Sequence, residues 1–98
     1  MKAAQEPKFV TSVNDSARCV QLGKQLWDLY KLAKNKRTMT KHDKIKFRDH
    51  TFDSLYTTYL EYEKKWAKGS PEFIFYSGLW YTTVQTSQDS INRDILGK

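Results

Sequence analysis

Apolar residues recur along most of this chain at steps of three and four, the spacing that lines one face of an α-helix. Cys19, Leu22, Leu26, Leu29 and Ala33 form the first such stripe, widened by Gly23, Trp27 and Tyr30, while Lys24, Asp28, Lys31 and Lys34 fall largely opposite. Ser12 and Asp15 stand at the spacing of an N-terminal cap, so a helix is expected over about 13–35. The second stripe is Phe52, Leu55, Tyr56, Tyr59, Tyr62 and Trp66, with Ile45 before it. Thr40 and Asp43 repeat the capping spacing and Gly69 supplies a stop, which predicts a helix over 41–68. Thr51 and the offset of Phe47 mark 49–51 as the place where it would break.

Beyond it, Ser70-Pro71-Glu72 is a helix start: cap hydroxyl, proline in the first turn, then an acid. The aromatic and β-branched run FIFYSGLWYTTVQT after it also suits a hairpin turning at Ser77-Gly78. Helix is the favoured reading of 71–85, the hairpin its alternative. Thr86 and Asp89 cap a short final helix holding Ile91, Ile95 and Leu96. Residues 1–11 read as a flexible arm, and 12–98 as a single helical domain. The expected fold is all-α, a small bundle built on two long antiparallel helices.

Charge changes the picture. Lys31, Lys34, Lys36, Arg37, Lys41, Lys44, Lys46 and Arg48 all lie within eighteen positions that hold one acid, Asp43, whereas the whole chain carries +6. In a helical hairpin these side chains share one end, and a local surplus of that kind attracts a polyanion. The expected function is therefore non-enzymatic binding of a nucleic-acid backbone by this basic tip. Long helices argue against a helix-turn-helix reader of base sequence. The alternative is an interaction or inhibitor module that covers an acidic protein surface, with Tyr76, Trp80 and Tyr81 as its aromatic patch.

The remaining candidate chemistry is sparse. His42 and His50 lie near Asp43, Asp49 and Asp53 without any familiar ligand spacing, so no metal and no cofactor are expected. No nucleophile motif or glycine-rich phosphate loop is present, which argues against an enzyme. Cys19, the lone cysteine on an apolar stripe, reads as a small buried hydrophobe, and a chain without disulfides suits the cytoplasm. No apolar run is long enough for a membrane span, and the start lacks the apolar core of a signal peptide.

Overall fold

The computed structural model describes residues 12–97, and the arm expected at 1–11 lies outside them. Among the described residues the chain forms three α-helices and no strand: α1 (Val13–Lys36), α2 (Lys41–Glu63) and α3 (Pro71–Leu96). They form a helical bundle.

Each helix begins where its cap predicts. The hydroxyls of Ser12, Thr40 and Ser70 accept the backbone N–H of Asp15, Asp43 and Phe73. At Thr40 the box is complete, because Asp43 in turn accepts the Thr40 N–H. Such a cap satisfies donors that the first turn leaves without partners, and stabilises a helix by about 1 kcal/mol. Gly97, at φ 78°, ends α3 in the left-handed conformation that glycine tolerates best.

Two expected boundaries move. α2 stops at Glu63 rather than 68, because its end tightens into shorter bonds, Lys65 N–H to Tyr62 C=O and Trp66 N–H to Glu63 C=O. That tightening turns Trp66 inward to stack on Tyr76, ring centroids 4.6 Å apart. α3 runs unbroken through both the hairpin alternative and the separate final helix. Its buried residues Tyr76, Trp80, Val84, Ser87 and Ile91 keep helical spacing, and the Thr83 and Thr86 hydroxyls bond back to the carbonyls four residues earlier. Burying one face thus outweighs the β preference of the run. α2 also continues through 49–51, with Thr51 buried.

The helices are of similar length, with 24, 23 and 26 residues, so the molecule is not a long pair closed by short pieces. Three hydrogen-bonded pairs, Ser12–Tyr76, Gly23–Ser87 and Tyr30–Asp94, join α1 to α3 at a constant separation of 64 positions. A constant separation means that α1 and α3 run parallel and in register. They approach tightly at Gly23, where a Cβ would sit 2.7 Å from the Thr83 side chain. α2 returns antiparallel alongside them, its end beside the start of α1 through Asp15–Lys65 and its first half beside the end of α1 through Tyr30–Phe47.

Trp80 occupies the middle of the core. It stacks on Tyr59 at 4.4 Å between centroids, with Phe52 and Tyr56 at its other edges. Most of the expected α1 stripe is buried, but Leu29 is exposed; the stripe turns onto Leu26 and Tyr30 instead, following the side toward α3.

Candidate functional site

The parallel course of α1 and α3 brings three helix ends together: the last turns of α1 and α3 and the first turn of α2. The basic segment lies here, as the loop 37–40 requires, with Met39 buried to anchor that loop. Lys34 and Lys36 stand in the last turn of α1, where cations complement the negative end of the helix dipole.

The eight cations divide into two sets. Lys34, Lys44 and Arg48 are partly buried and face α3. Lys34 Nζ is 2.6 Å and Lys44 Nζ 3.6 Å from the Asp94 carboxylate, and Tyr30 Oη donates to the same group at 2.7 Å. Arg48 donates to Asn92 at 2.7 Å and to Asp49 at 2.9 Å. Lys34, and then Tyr30, hold the Asp94 carboxyl below its ordinary pKa. Burial, and then Asp94, push the Tyr30 phenol upward.

The other set, Lys31, Lys36, Arg37, Lys41 and Lys46, is exposed. Lys31 lies 3.9 Å from Asp28 and Arg37 4.0 Å from Asp43, both at the outer limit of an ion pair. Asp43 is shared with the Thr40 cap, which lowers its pKa more than Arg37 does. Lys36, Lys41 and Lys46 have no ion pair among the described residues. Arg37, Lys46 and His50 line one shallow depression of about 370 Å³ together with Asp43 and Phe47. A positive surface therefore remains at this end, smaller than eight free cations would make it.

The aromatic patch expected of Tyr76, Trp80 and Tyr81 does not form. Tyr76 and Trp80 are 1% and 0% exposed, because both point down the core stripe of α3; Tyr81, one position off that stripe, is 47% exposed. Tyr30, Asn92 and Asp94 were absent from the sequence-derived site. Asp94 did carry one signal: an acid in the last turn of a helix has the wrong sign for the dipole and implies a cation nearby.

His42 and His50 are both exposed, and no group of three or more potential metal ligands occurs among the described residues. Cys19 is buried, which pushes its thiol up to about 11 and leaves it a poor nucleophile. No helix among the described residues is long and apolar enough to cross a membrane. Comparison with protein-family models, curated proteins and solved structures gives no match.

Proposed function

We propose that this protein is a non-enzymatic binder of nucleic-acid backbone, acting in the cytoplasm through Lys31, Lys36, Arg37, Lys41 and Lys46. The observation that supports this reading is the set of exposed cations left at the α1–α2 corner after α3 has tied down Lys34, Lys44 and Arg48. Flexible, solvated ammonium groups suit phosphates, whose condensed counterions they release on contact. Base discrimination is not expected of such a surface, since phosphate contacts position a protein without reading sequence.

Four such contacts give a log–log salt slope of about −3.6 on duplex DNA, so affinity falls roughly 100-fold or more between about 50 and 200 mM salt. Changing Lys36, Arg37, Lys41 and Lys46 together to Ala removes most of the binding and flattens the slope. Absence of salt-sensitive retention of both duplex and single-stranded oligonucleotides at low salt overturns the proposal.

The second reading, a module that covers an acidic protein surface, would draw its charge from the same cations, and an apolar groove of about 740 Å³ at the other end of α1 and α3 supports protein interaction as such. Val13, Ala17, Val20 and Leu79 line it, and Ile74 nearby is 63% exposed. Under that reading Val13→Asp with Ile74→Asp abolishes capture of the partner, while oligonucleotide retention is negligible throughout.

A further inference from the structure

Asp94 is held by its neighbours rather than by its own helix. It stands in the last turn of α3, where the dipole repels a carboxylate, yet it accepts from the Tyr30 phenol and the Lys34 ammonium and faces the Lys44 ammonium. Two ammonium groups and one hydroxyl converging on a single pair of oxygens form the donor set that a phosphate group takes. The two lysine side chains are only 33% and 22% exposed, and both direct their ammonium groups at this one carboxylate. Among the described residues no second acid takes that place: Asp43 is engaged at the Thr40 cap and Asp49 at Arg48.

From this convergence we infer that Tyr30, Lys34 and Lys44 form a phosphate site that Asp94 fills as an internal stand-in. The identity of the incoming phosphate as a nucleic-acid backbone rests on the proposed function; the existence of the site does not. Lys34 and Lys44 are then cations in reserve. A phosphodiester gains them only by displacing Asp94, so the resting protein binds with its outward cations alone.

Asp94→Asn tests this, because it removes the charge and keeps an oxygen for Tyr30. Asp49→Asn is the control, removing one charge from the same end without uncovering Lys34 or Lys44. The probes are a duplex oligonucleotide and inorganic phosphate. Asp94→Asn is expected to bind the duplex at least about tenfold more tightly than the unaltered protein at moderate salt, with a slope steeper by one to two units, as one or two added phosphate contacts require. Asp49→Asn changes affinity by no more than about threefold, the effect of a screened surface charge. Lys34→Gln abolishes the gain in the Asp94→Asn background, and alone leaves affinity within about twofold.

Inorganic phosphate raises the melting temperature of Asp94→Asn above that in chloride of equal ionic strength, and does so for neither the unaltered protein nor Asp49→Asn. Equal behaviour of the two Asn variants toward both probes overturns the inference. If phosphate stabilises Asp94→Asn alone while no variant retains oligonucleotide, the site stands and the nucleic-acid reading falls. If the unaltered protein binds the duplex and Asp94→Asn gains no more than Asp49→Asn, the reverse holds. Amine acylation of the unaltered protein needs no substitution: Lys34 and Lys44 should react several-fold more slowly than Lys36 and Lys41, and equal rates overturn the inference.

Discussion

At the start of α1, Asp15 accepts from the Tyr62 phenol and from Lys65 Nζ, the latter at 2.6 Å; at the end of α3, Asp94 accepts from the Tyr30 phenol and from Lys34 Nζ, also at 2.6 Å. The same three groups thus tie opposite ends of the bundle, and the settings differ. Asp15 lies in the first turn of its helix, where the dipole favours an acid, and a single ammonium contacts it. That ammonium also rests over the rings of Tyr62 and Trp66. Asp94 lies in a last turn and faces two lysines, with exposed cations beyond them. A balanced tie serves as a structural clamp. An outnumbered carboxylate in an unfavourable turn is the one that an external anion can replace.

Breaking the connection between the two ends gives the largest expected effect. Trp80 lies between them with no exposed surface, and Trp80→Ala should cost about 3–5 kcal/mol in denaturant unfolding. Both ends should be lost in one transition, as in a small two-state domain. Separate unfolding of the ends would show that each tie holds its own unit.

The comparison sharpens when each carboxylate is altered in turn. The Asp15 side chain is 13% exposed, and Asp15→Asn should destabilise by about 1–3 kcal/mol, the cost of leaving covered partners without their acceptor. Asp94→Asn should cost less than Asp15→Asn, about 1 kcal/mol, because relief of a wrong-signed charge at the helix end offsets part of the cost of leaving Lys34 and Lys44 without their anion. Equal losses in thermal or denaturant melts would remove the distinction between clamp and stand-in.

The smallest effect is in acid. Both carboxyls are held below the ordinary value of 3.8, Asp15 first by Lys65 and then Tyr62, Asp94 first by Lys34 and then Tyr30. On acidification the unfolded chain therefore binds protons before the folded one. The stability these groups supply is present above about pH 4 and disappears as pH falls through the folded values. Melting temperature should decline below about pH 4, and the Asp15→Asn/Asp94→Asn double variant should show a shallower decline. An unchanged acid limb would mean that other groups govern it.

Much of this molecule was legible in the sequence because its helices are announced locally. Ser12, Thr40 and Ser70-Pro71 marked the starts, and the aromatic stripe from Phe52 in α2 to Trp66 just beyond its end is the set that lies in or against the core. The run 73–86 was less legible because two tendencies conflicted there, β-branched and aromatic content against helical spacing. Packing along α1 decides in favour of helix, burying one side chain per turn. The basic segment was legible as a cluster but not as a site, since composition counts charges without their partners.

The sequence by itself determined where helices start, that they bury aromatic faces, and that positive charge gathers around the α1–α2 turn. Those properties depend on residues within a few positions of each other. Only the tertiary structure decided that α3 lies parallel to α1, that Trp80 is core rather than contact surface, and that Asp94 withdraws Lys34 and Lys44 from the basic end. Each of these depends on groups far apart in the chain, Trp80 on Phe52, Tyr56 and Tyr59, and Asp94 on Lys34 and Lys44, and the α1–α3 contacts form in register because Gly23 lets those two helices approach.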